Sequence, residues 1–152
     1  MHIERHATLR LPMSPAAALP YFTPEGERDW VPGWDPVPVH APGGSLSVAG
    51  AVFTTAADGE ETLWLVLGID FAAGVAEYVR ITPGNRLGTV HVRCRADGDG
   101  TRVEVDYRLT SISEAGAAKL AAVTPEAFGR TIAGWKETIE SRIRSGGQPP
   151  IP

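Results

Sequence analysis

Cysteine is almost absent from this chain: Cys94 is the only one in 152 residues. A single thiol excludes an internal disulfide and any zinc cage built on cysteines. Long apolar runs are absent too. The strongest, Leu63 to Leu67 with Ile69 nearby, is far too short to cross a bilayer. The start, MHIERHATLRL, spreads charges where a secretory signal would need an apolar stretch. The expectation is a soluble cytoplasmic protein with no membrane insertion. Basic clusters are missing as well: 14 Lys and Arg are scattered against 18 Asp and Glu, for a net charge of −4. Nucleic acid is therefore not an expected partner, because phosphate binding needs a basic stripe.

Chemical signatures are equally scarce. No Ser-His-Asp, Cys-His or phosphate-loop pattern occurs, and no cofactor motif. "PGNRLG" and "DGDGT" are turn chemistry, the latter lacking the rest of an EF-hand loop. Glu60 and Glu61 border a hairpin, with no sign of the buried setting that acid–base work requires.

What is present is an ordinary globular composition, 43% hydrophobic and 21% charged. A domain of this length buries roughly 68–70% of the surface its unfolded chain exposes, enough for one unaided core. Three helix starts share a signal, a hydroxyl residue followed by proline: Ser14-Pro15, Thr23-Pro24 and Thr124-Pro125. Pro20 interrupts the first helix and Pro32-Gly33 ends the second, so both are short. Glu25 and Glu126 suit the positive ends of the second and third helix dipoles. After Thr124-Pro125, Phe128, Ile132, Trp135, Ile139 and Ile143 form one apolar stripe on a helix of about five turns, stopped by Gly146-Gly147.

Between Leu46 and Ile112 the period changes to alternation, broken at Asp58-Gly59, Ala73-Gly74, Pro83-Gly84-Asn85 and the Asp97–Gly100 turn. About five consecutive antiparallel strands result. In the last, Val103, Val105, Tyr107 and Leu109 oppose Arg102, Glu104, Asp106 and Arg108, so one face is wet. His2 to Leu11 is a sixth strand and Val37 to His40 a short seventh. The layout is α+β, with the long helix covering the apolar face of the sheet.

That order resembles the helix-grip fold of the START / Bet v 1-like (SRPBCC) superfamily, which includes polyketide cyclases and Hsp90-ATPase-activator homologues. "FTPEGERDWVPGWDP", "EYVRITPGNRLGTVHV", "YRLTSISEAG" and "TPEAFGRTIAGWKETI" look like a bacterial subgroup of it. These motifs are moderately specific for the subgroup and hardly specific for a function. The resemblance implies one domain over residues 1–145, a flexible tail over 146–152, and a curved sheet of six to seven strands wrapped around the C-terminal helix, with two short helices after the first strand. It also implies a cavity for hydrophobic or amphipathic small molecules.

Candidate site residues follow. Trp30 and Trp34 either anchor the segment after the second helix or edge the cavity mouth, where an aromatic with an N–H handle can face ligand and water. Phe128, Ile132 and Trp135 are core residues that also form the cavity roof. Tyr107 is the best placed polar handle. Trp64 lies on a strand that is apolar on both faces. Tyr78 and Arg80 share one strand face, Val79 and Ile81 the other. If Val79 and Ile81 face the core, Arg80 is a solvated charge; if not, Arg80 is a buried cation able to bind a carboxylate or phenolate. The cost of burying an unpaired arginine favours the first. His91 reads as outer surface. His2, Glu4 and His6 share a face of the first strand, which an exposed terminal strand explains more simply than a metal.

The first functional expectation is a binding protein for a hydrophobic or aromatic small molecule. The second is a cyclase/aromatase-like enzyme in which Tyr78, Arg80, Tyr107 or His91 moves protons or holds charge. The third is an Hsp90-activator-like interaction protein. The ligand and the oligomeric state, a homodimer included, are left open.

Overall fold

The computed structural model describes residues 1–152. Seven strands form one antiparallel sheet in the order β1-β7-β6-β5-β4-β3-β2: β1 His2–Leu11, β2 Val37–His40, β3 Val52–Ala57, β4 Glu60–Asp70, β5 Val75–Thr82, β6 Arg86–Asp97 and β7 Gly100–Ser111. Helix α1 spans Pro15–Ala18, α2 Glu114–Ala121 and α3 Pro125–Arg144. The sheet follows from the alternation: Val103 and Val105 are fully buried and Val90, Val92 and Cys94 nearly so, while Arg102, Arg95 and Arg108 stay in solvent. Helix α3 closes the concave face with Phe128, Ile132 and Ile139 buried on one stripe. It lies against β1, where Lys136 Nζ donates to the Arg10 carbonyl at 2.7 Å.

Local signals explain the helix ends. Ser14 accepts from Ala17 N–H, and Thr124 Oγ1 accepts from Ala127 N–H at 3.1 Å, with proline at the first helical position of each. The second expected helix differs. Thr23 Oγ1 accepts from Gly26 N–H at 3.0 Å and donates to the Pro20 carbonyl at 2.8 Å, so a 3₁₀ turn Leu19–Phe22 ends at Thr23 and another runs Gly26–Asp29. No α-helix forms, because the Thr23 hydroxyl bridges the two turns. Helix α2 is an addition to the expected set. Ser113 caps it by accepting from Gly116 N–H, and Leu120 packs with Ile3 and Leu109 in a small satellite core.

The parity of β5 overturns the favoured expectation. Tyr78 and Arg80 face inward, and Val79 and Ile81 lie on the outer face. Arg80 pairs with Trp64 on β4 and sets its guanidinium 5.1 Å from that ring's centroid, so the cation has a π face in place of water. Its partner on β6 is Gly88, where a Cβ would collide with the Arg108 carbonyl; the sheet is too tightly curved there for a side chain.

Candidate functional site

Between the concave sheet and the α1–β2 segment lies a cavity lined by Phe22, Pro24, Glu27, Trp34, Phe53, Trp64, Tyr78, Val90, Val92, Tyr107 and Trp135. Its volume is about 40 Å³. That interior has room for roughly three waters.

The rings interlock. Trp34 meets Phe53 and Trp64 edge-on, Phe53 stacks parallel to Trp64 with centroids 6.0 Å apart, and Tyr78 meets Trp64 edge-on. Most of their polar atoms are tied off. Trp64 Nε1 donates to Thr55 Oγ1 at 2.9 Å, Trp34 Nε1 to the Pro24 carbonyl at 2.7 Å, and the Tyr78 hydroxyl to the Phe22 carbonyl at 2.7 Å. Burial, then the Glu27 charge, pushes the Tyr78 hydroxyl well above the ordinary tyrosine range. Tyr78 is thus a strut between sheet and 3₁₀ turn, held neutral.

Two groups on the wall are different. Neither the Glu27 carboxyl nor the Tyr107 hydroxyl has a hydrogen-bond partner in the protein, and both border open space rather than being sealed in, as Ser47 Oγ is. Glu27 is fixed through its backbone: its N–H donates to the Thr23 carbonyl and its carbonyl accepts from Val31 N–H, both at 2.9 Å. The preceding Gly26 packs so closely on the Pro20 carbonyl that no side chain fits. The residue keeps some accessible surface, yet its carboxyl is enclosed deeply enough that burial raises its pKa to about 8. Burial also raises Tyr107; the Arg80 charge opposes that rise and the Glu27 charge adds to it. Tyr107 therefore feels both a cation and a carboxyl. Arg80 is held below its ordinary range by burial, against an opposing influence from Tyr107. The indole N–H of Trp135 also has no protein partner, whereas Cys94, on the same sheet face, is a buried thiol pushed up to about 12 and chemically quiet.

Of the nine residues singled out from sequence, Trp34, Trp64, Tyr78, Tyr107 and Trp135 line the cavity. Four lie behind it. Trp30 is buried, donates its indole N–H to the Tyr21 carbonyl at 2.7 Å and braces Phe22 and Trp135. Phe128 packs on Tyr107 with centroids 4.9 Å apart, Ile132 is core, and Arg80 sits beyond Trp64. Glu27 was missed. The only available signal was a carboxylate flanked by glycine and aromatics in "PEGERDW", and the turn that aims it inward is a tertiary matter. His91 faces outward, 3.2 Å from Glu77; His6 meets Asp106 and His2 meets Glu4 in the same solvent. Glu60 is engaged by Arg86 at 2.9 Å.

No family model matches the chain, and no curated protein does. Solved structures do. Ara h 8.0201 superposes with a TM-score of 0.66 at 15% identity, over 95% of this chain and 99% of its own. The Zhui aromatase/cyclase from Streptomyces sp. R1128 gives 0.65 at 16% identity, over 97% and 100%. Norcoclaurine synthase from Thalictrum flavum, in complex with dopamine and hydroxybenzaldehyde, gives 0.62 at 13% identity, over 93% and 88%. Likeness over nearly the whole of each chain at such low identity shows the fold, and the chain has the helix-grip, Bet v 1-like fold.

Proposed function

We propose that the protein binds a small, flat hydrophobic or aromatic molecule in the cavity between the sheet and α3. The observation that carries this reading is the wall itself: seven aromatic side chains and Glu27, with the Glu27 carboxyl, the Tyr107 hydroxyl and the Trp135 indole N–H left without a protein partner. Apolar walls with a few convergent polar atoms are the usual make-up of small-molecule sites. These groups give a ligand something to orient on, and their desolvation inside the protein is otherwise uncompensated.

The small interior sets a condition. A ring is larger than three waters, so part of the wall yields on binding. Trp64, Tyr78 and Trp34 are each pinned by a hydrogen bond; Trp135, on α3, has no such tie and is the ring able to move. Two similar structures lend support, one an aromatase/cyclase and the other solved with dopamine and hydroxybenzaldehyde, both one-ring molecules. The aromatase/cyclase likeness, with Tyr107 on the wall and Arg80 behind it, makes a cyclase-like enzyme the second reading.

Native mass spectrometry of protein purified from its own host, with titration of one-ring carbonyl compounds followed by tryptophan fluorescence, tests the binding reading. The Val92→Phe variant fills the cavity from β6 and is expected to abolish both the bound mass and the quenching while far-UV circular dichroism stays unchanged. Trp135→Ala is expected to lower retention. Undiminished binding by V92F would count against the cavity.

A further inference from the structure

Two of the orphan groups, Glu27 and Tyr107, differ in kind, and their difference carries an inference beyond binding. A carrier for apolar molecules needs neither. Tyr107 is a neutral donor with positive charge behind it; Glu27 is a carboxyl in a dry place, opposite the sheet. Both groups line the same small interior. We propose that Glu27 is the acid–base group of this cavity, moving a proton at the carbon next to the carbonyl of a small flat aryl ketone or aldehyde whose oxygen is held by Tyr107. This rests on the reading that the cavity takes such a molecule.

The chemistry closes on itself. The Glu27 carboxylate takes the α-proton; the C–H electron pair becomes the new C=C bond, and the carbonyl π pair moves onto oxygen. The enolate oxygen accepts the Tyr107 hydroxyl, with the Arg80 guanidinium adding favourable potential through its position beyond Trp64. Glu27, now protonated, returns the proton to the same carbon or to the far end of a conjugated enolate, giving exchange or isomerisation. No co-reactant is consumed. Burial suits the carboxyl to both halves of the cycle, since a group poised at about 8 is a stronger base than an exposed carboxylate and is still able to donate near neutrality. Tyr78 and Tyr107 are the titratable groups that feel its charge.

The test uses phenylacetone in D₂O with the full chain. Proton NMR follows loss of the benzylic CH₂ signal, and tryptophan quenching measures binding separately. Wild type is expected to bind saturably and to accelerate exchange. Glu27→Gln is expected to bind within about threefold of wild type while losing at least about 100-fold of the exchange rate, the usual weight of a positioned acid–base group. Tyr107→Phe is expected to lower the maximal rate by about tenfold or more with an intact fold. Saturable binding without faster exchange, or a Glu27→Gln protein as fast as wild type, overturns the acid–base role and leaves the binding reading standing. Absence of any binding overturns both.

Discussion

Glu27 sits where an ionised carboxylate is costly, and that cost is visible in stability. The unfolded chain ionises this group near the ordinary value of 4.5, the folded one at about 8. Between those values the native state holds a proton that the unfolded state has released, so the stability contribution falls as pH rises through the window and levels off above it. The full swing is about 5 kcal/mol at most. The Glu27→Gln protein keeps the shape without the charge. Urea unfolding of both proteins at about pH 5 and about pH 9 is expected to show E27Q gaining on wild type at the higher pH. An equal difference at both pH values would contradict the buried, unpaired carboxyl. Glu60 behaves oppositely: the Arg86 hydrogen bond holds its carboxyl below the ordinary range, so its contribution is present above that range and lost as pH falls. Arg80 makes the complementary point. An arginine at an alternating position reads as solvated because unpaired burial is expensive, yet the face of Trp64 takes the place of a carboxylate.

At the scale of elements, the clearest local rules hold. Helix α3 begins at a threonine cap and runs twenty residues with its stripe turned inward. Thr124→Ala removes an acceptor from Ala127 N–H without touching the core, and is expected to cost about 1 kcal/mol in chemical denaturation. The strand β5 is harder. Glu77, Val79 and Ile81 compete with Tyr78 and Arg80 for the inner face, and both readings alternate equally well. Pairing decides it: Tyr78 stands opposite Val66 and Val90, which are already committed inward, and its hydroxyl finds the Phe22 carbonyl. Helix α2 was hidden because its eight residues, EAGAAKLA, present only Gly116 and Leu120 to the interior, too little for a periodic signal.

For the whole molecule, the inner sheet face and α3 make one continuous core in which Cys94 is embedded at 3% exposure. Its thiol, pushed up to about 12, is a built-in reporter of opening. Labelling with a thiol reagent is expected to be negligible under native conditions and to rise with urea in step with global unfolding. Rapid labelling of the native protein would mean that β6 opens independently. The same continuity bears on the cavity. Trp30, Phe22 and Trp135 touch one another, so a wall that yields at Trp135 is felt by the turn Gly26–Asp29 that carries Glu27.

Period, caps and turns by themselves determined the strand count, the long closing helix, the wet and dry faces of β6 and β7 and hence the α+β layout, because each is set by neighbours within a few residues of one another. They also marked Tyr107 and Trp135 as inward, since those lie on unambiguous apolar stripes. Which tryptophan braces and which borders the cavity was settled only by tertiary packing: Trp30 and Trp34 are four residues apart on a broken turn, and their indoles find separate carbonyls, Tyr21 and Pro24. Glu27 belongs with them. A charged residue in a polar stretch looks solvated from any local window, and it is the closing of the Thr23–Gly26 turn over the sheet that takes its carboxyl out of bulk water and into the wall of the cavity that Tyr107 also lines.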